Sequence, residues 1–120
     1  MKSAVDDSVI HVTTESFEAE ITESELPVVI DFWAPWCGPC RTLGPVLDQL
    51  SKKWQGKVKT VKINVDEEPE LANAFSVSSI PTMVAFKGKD VLDVQVGMSG
   101  VASVERLFHS ATQNVVNDVV

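Results

Sequence analysis

The sequence predicts an α/β domain whose central mixed sheet carries helices on both faces. Three observations lead there. Strand-like and helix-like segments alternate up to about Phe75; two more strand-like runs follow with only a tight turn between them; and an amphipathic segment closes the chain. With 120 residues, 44% of them hydrophobic, one core is the natural solution. The expectation is a single domain over 1–120, with its core at about 9–108 and frayed termini.

Taken in order, Val9 to Val12 reads as a short strand, and Thr14 to Ile21 as an acidic helix with Phe17 and Ile21 on one face. Val28 to Trp33 is almost continuously apolar and rich in β-branched and aromatic side chains, as expected of a central strand covered on both sides. Leu43, Val46, Leu47, Leu50 and Trp54 recur at helical spacing, so a helix should run from near Cys37 to about Lys53, kinked by Pro45. Thr60 to Val65 alternates as a strand does, and Glu67 to Phe75 opens with acidic residues suited to a helix start. After Pro81, Thr82–Phe86 and Val91–Val96 form two strands, joined by a hairpin turn at Lys87-Gly88-Lys89-Asp90. Val101, Val104, Leu107, Phe108, Ala111 and Val115 outline the closing helix.

Composition removes several function classes. A net charge of −7 and the lack of a basic stripe argue against nucleic-acid binding. Nothing approaches the length of apolar sequence a membrane helix needs, and Met1 to Asp7 lacks the apolar core of a signal peptide. A soluble chain is therefore expected, though a leader removed earlier would leave the native compartment open.

The chain's two cysteines, Cys37 and Cys40, carry the chemistry. Three residues apart at a helix start, they share a face and can form a disulfide with little backbone movement. A loop this short makes a poor structural staple. Zinc normally takes four ligands, and there is no second such pair, while His11 and His109 belong to unrelated segments; no metal is expected. Arg41 stands where covalent haem attachment needs a histidine. What remains is redox cycling. At the positive end of the helix dipole Cys37 is the natural nucleophile, and Cys40, one turn inside, is the resolving thiol. Gly38 and Pro39 between them should tune how readily the pair closes. No bound cofactor is called for, since no Gly-x-Gly-x-x-Gly fingerprint occurs.

Other residues allow two readings each. A carboxylate at Asp31 in so apolar a strand is costly to desolvate, which would raise its pKa and suit proton transfer near Cys37; the alternative is a solvated end of the sheet. Lys62 on the adjacent strand is either its electrostatic partner or a surface lysine. Trp33 and Trp36 flank the turn, either as core packing or with one ring beneath the cysteines and the other partly covering them. Ile80-Pro81 sits where a cis bond can occur, although most bonds before proline are trans.

The run Val29-Ile30-Asp31-Phe32-Trp33-Ala34-Pro35-Trp36-Cys37-Gly38-Pro39-Cys40, followed by Pro45, Lys62-Ile63-Asn64-Val65-Asp66, Ile80-Pro81-Thr82, Phe86-Lys87 and Val96-Gly97, closely resembles the thioredoxin family. The likeness spans about residues 9–107. It implies the thioredoxin fold and a protein-disulfide reductase with a part in cellular redox homeostasis. By the same resemblance Cys37 is the nucleophile, Cys40 the resolving thiol and Asp31 the buried acid/base assisting Cys40. It further implies a cis Ile80–Pro81 bond with Pro81 against the redox pair, and a client groove formed by backbone around Trp36, Ile80 and Gly97. The implied partners are proteins with exposed disulfides and a thioredoxin reductase, NADPH- or ferredoxin-dependent, with the protein acting as a monomer. The form of the motif resembles bacterial and plastid m-type members, which implies cytoplasm or chloroplast stroma. Arg41, Ser79 and the position of Gly88 depart from the commonest bacterial pattern without touching the chemistry. An oxidase or isomerase shares such a motif, but Gly38-Pro39 resembles reductases; a binding module using the groove without its thiols stays open.

Overall fold

The structure is a computed structural model, and it describes residues 8–98 and 100–113. Val115, Met1 to Asp7 and both expected frayed ends lie outside the described residues. Five strands form one sheet: β1 (Val9–His11), β2 (Val28–Trp33), β3 (Lys59–Asn64), β4 (Thr82–Lys87) and β5 (Asp90–Val96), in the order β1-β3-β2-β4-β5. β1 and β2 run parallel to β3, whereas β4 is antiparallel to both β2 and β5, so the sheet is mixed as expected.

Strand β2 shows why this sheet needs cover on both sides. Its side chains alternate, and on both faces those of Val28 to Phe32 are buried. Val28, Ile30 and Phe32 join Val61, Ile63, Val84 and Phe86 in a core closed by Ile21 and by Leu71 of α2 (Pro69–Ala74). Val29 points the other way, into a core with Leu43, Leu47 and Leu50 of α1 (Gly38–Lys53) and Val104, Leu107 and Phe108 of α3 (Val101–Gln113). Each fully buried leucine there contributes roughly 2 kcal/mol of transfer free energy. Lys52 and Lys53 in the last turn of α1 suit the negative end of its dipole, and the helix continues through Pro45.

Two expected helices are shorter than their patterns suggest. In place of a helix from Thr14, the regular part is a single π-type turn, Glu18–Thr22, in which Glu23 N donates to Glu18 O. Side chains upstream compete for the backbone: Thr13 N donates to Ser16 Oγ, and both Thr14 N and Thr14 Oγ1 donate to Glu68 Oε1. The helix expected from Glu67 starts at Pro69 because Asn64 Oδ1 accepts from the backbone of Asp66 and Glu67, turning the chain there. The β4–β5 hairpin has Lys87 paired with Asp90 and Gly88 at φ 66°, a left-handed conformation that glycine adopts freely.

Candidate redox site

Strands β2 and β3 end side by side, with Trp33 opposite Asn64, so the loops leaving them share one end of the sheet. The loop after β2 delivers Cys37 in an extended conformation (φ −89°, ψ 112°) as the N-cap of α1. Cys37 N donates to Ala34 O, and Cys40 N donates to Cys37 Sγ at 3.2 Å. Sulfur thus occupies the place an Asp or Ser oxygen takes at other helix starts, facing the unpaired N–H groups of a 16-residue helix. That setting favours negative charge on Cys37 whenever the pair is reduced.

Here Cys37 and Cys40 are joined as a disulfide, their Cα atoms 5.3 Å apart. Cys37 is 5% exposed and Cys40 2%, so both cysteines are buried, the cap residue slightly less so. Gly38 and Pro39 fill the first two positions of α1, where the N–H that proline lacks has no partner inside the helix. Arg41 Nη1 donates to Pro35 O, bracing the loop from the far side of the pair.

Asp31 is fully buried, and neither carboxylate oxygen has a hydrogen-bond partner. The solvated-end reading of this residue is thereby excluded. Burial pushes its pKa from 3.8 up to about 7, against the downward pull of Lys62. Lys62 is its register partner on β3, with its ammonium 4.5 Å from the centre of the Trp33 ring. His11 pairs with Lys62 from β1; burial, then the Lys62 charge, hold its imidazole below 6.5, while Glu67 pulls it upward.

One of the two rings does pack against the cysteines, that of Trp33. Trp33 packs with Ala34, Val65 and Ile80 against the cysteines, whereas Trp36 is 66% exposed. The Trp36 indole donates to Asp66 Oδ2 at 2.7 Å. With Val65, Ala72, Val77 and Ile80 it walls a groove of about 330 Å³. The Ile80–Pro81 bond is cis, and Gly97 N donates to Pro81 O at 2.7 Å. Gly97 stands at φ 88°, so its backbone reaches Pro81 in a conformation that side-chain-bearing residues rarely adopt.

The fold therefore brings Cys37, Cys40, Gly38, Pro39, Trp36 and Ile80 to one end of the sheet, with the buried Asp31 and its half-buried register partner Lys62 further back on β2 and β3. Sequence reasoning missed Asp66 and His11. A usable signal existed for Asp66: once β2 and β3 are parallel neighbours, residues just past Asn64 must lie beside those just past Trp33. Among the described residues, no three His, Cys, Asp or Glu side chains are grouped as metal ligands, and no helix is long and apolar enough to cross a membrane.

A family model described as thioredoxin matches residues 8–112. The chain is 51% identical to a thioredoxin of Synechocystis over 86 residues, covering 72% of this chain and 80% of that protein. It is 48% identical, with the same coverage, to thioredoxin 1 of Nostoc. To a thioredoxin of the red alga Pyropia yezoensis it is 44% identical over 90 residues, 75% of this chain and 84% of that one.

Proposed function

The chain belongs to the thioredoxin family and is a thiol–disulfide oxidoreductase with protein-disulfide reductase activity, and from that premise we propose how its residues divide the reaction. One observation carries the proposal: Cys37 Sγ caps α1 and accepts the Cys40 N–H, beside an apolar groove. In the reduced protein, Cys37 thiolate attacks a client disulfide, forming a Cys37–client bond and releasing one client sulfur as a thiolate that takes up a proton. Cys40 then loses its proton to the Asp31 carboxylate, directly or through one water. Its thiolate attacks Cys37 Sγ, breaks the mixed bond and frees the second client sulfur as a thiolate, which takes up a proton. Two electrons pass to the client and the Cys37–Cys40 bridge closes.

Gly38, Pro39 and Pro81 tune the equilibrium of that bridge, and Lys62 tunes the charge on Asp31. Trp36, Ile80 and Gly97 form the client surface, where an extended segment lies with its disulfide over Cys37. The general partners are disulfide-bearing proteins and a thioredoxin reductase. The reductase draws on NADPH or ferredoxin, and the setting is bacterial cytoplasm or chloroplast stroma; the cyanobacterial and red-algal relatives support this. The chain works as one domain, 1–120, and as a monomer, without nucleic-acid or membrane partners.

Trapping tests the division of labour. Cys40→Ser should accumulate clients on Cys37 as mixed disulfides that dithiothreitol releases. Accumulation by Cys37→Ser alone would reverse the two roles, and full biological activity in the double Cys→Ser variant would replace catalysis with a binding role.

A further inference from the structure

His11, Lys62 and Asp31 form one row across the sheet, since His11 pairs with Lys62 and Lys62 with Asp31 in parallel register. Parallel partners point to the same face, about 4.8 Å from strand to strand. Two of the three, Lys62 and His11, meet on one ring. Lys62 Nζ lies 4.5 Å from the centre of Trp33, and the His11 ring stands 6.1 Å from it at 65°, edge-to-face.

Trp33 Nε1 is buried without a hydrogen-bond partner, so packing alone places this indole. On the inner side that packing is Ala34 and the cysteines; on the side of the sheet edge it is His11. The indole face in turn holds the Lys62 ammonium. Among the described residues that ammonium makes no hydrogen bond or ion pair, and Asp31 is the buried carboxyl whose charge it favours. If the indole swung away, a lysine chain of four methylenes would carry its charge into water.

We propose that His11 is a positioning residue for the proton-transfer site: packed edge-on against the unanchored Trp33 indole, it keeps that ring under the Lys62 ammonium and the ammonium beside Asp31. The proposal rests on the reading of Asp31 as proton acceptor. The charged groups facing His11 are Lys62 on β3 and Glu67 just beyond it.

The test is a ¹³C-carboxyl NMR titration of Asp31 in the oxidised protein, where neither cysteine titrates. Lys62→Ala should raise the Asp31 midpoint by removing an attracting cation, and His11→Ala should move it the same way by roughly half a pH unit. His11→Phe, which keeps the edge contact, should titrate like the wild type. Adding His11→Ala to Lys62→Ala should change nothing further. An unmoved midpoint in His11→Ala, a Phe variant displaced as far as the Ala variant, or an equal displacement in the Lys62→Ala background would each overturn the proposal. A merely structural role would lower Tm and leave the midpoint in place. Client reduction by Asp31→Asn with an unchanged pH profile would instead remove the proton-acceptor reading, and the His11 titrations would still be readable.

Discussion

Asp31 and Lys62 are register partners on neighbouring strands, yet the lysine's ammonium lies over the Trp33 ring and the carboxyl is left buried without a hydrogen bond. This arrangement moderates the cost of the carboxylate without removing it, and the carboxyl ends with a pKa of about 7. The sign of the consequence for stability is fixed. Between about pH 4 and pH 7 the native protein holds a proton that the unfolded chain has released. Stability therefore falls as pH rises through that window and levels off above it. A displacement from 3.8 to about 7 corresponds to a loss on the order of 4 kcal/mol, at about 1.36 kcal/mol per pH unit. Asp31→Asn should match the wild type near pH 4 and exceed it by up to that amount at pH 8, measured by urea unfolding. Parallel stability curves for the two proteins would show that Asp31 does not titrate in this range.

The same variant bears on rate. Without a carboxylate to take the Cys40 proton, release of the mixed disulfide should slow by roughly 100-fold at neutral pH, the lower end of what a positioned base contributes. Attack by Cys37 should be little affected. Stopped-flow separation of the two steps reads this directly, and equal slowing of both would assign Asp31 to the nucleophile instead.

Asp66 controls a different part of the site. Trp36 is exposed, and its 2.7 Å hydrogen bond to Asp66 is the polar contact that fixes the ring as a wall of the groove. Losing a hydrogen bond of this kind costs about 1 kcal/mol, or about fivefold in kcal/mol-to-affinity terms. Asp66→Ala should accordingly raise KM for a protein disulfide about fivefold with kcat nearly unchanged, and Asp66→Asn, which keeps an acceptor oxygen, should fall between. A drop in kcat at constant KM would mean that Asp66 acts on the thiols and not on client docking.

Much of this was legible from sequence because burial leaves a periodic trace. Val28 to Trp33 announced a doubly covered strand, and Cys37 at the head of a helical pattern announced a thiol at the positive end of a helix dipole. Asp31 stood out as a charge where the pattern demanded none. What sequence could not supply was lateral. Lys62 beside Asp31 was one of two sequence readings, but the place of His11 in that row exists only once the strand order and register are known, and the Trp36–Asp66 contact joins loops 30 residues apart. Local competition was also hidden: Thr13, Thr14 and Ser16 look compatible with a helix until Glu68 and their own hydroxyls claim the backbone.

Ser76 is the clearest case of a residue that gives no such trace. It follows the last turn of α2 with φ 58°, and the chain ends there in a Schellman pattern: Ser76 N donates to Asn73 O and Val77 N to Ala72 O. Glycine is the usual occupant of this position, because a Cβ in the left-handed region costs about 1–2 kcal/mol. Part of that cost returns when glycine replaces serine, since the unfolded chain gains freedom as well. Ser76→Gly should therefore stabilise the protein by about 0.5–1 kcal/mol in urea unfolding. The groove wall at Ala72 and Val77 should keep its place, because the backbone conformation is the one already adopted, and client reduction should be unchanged. A variant no more stable than the wild type would mean that Ser76 recovers its backbone cost through its own side chain.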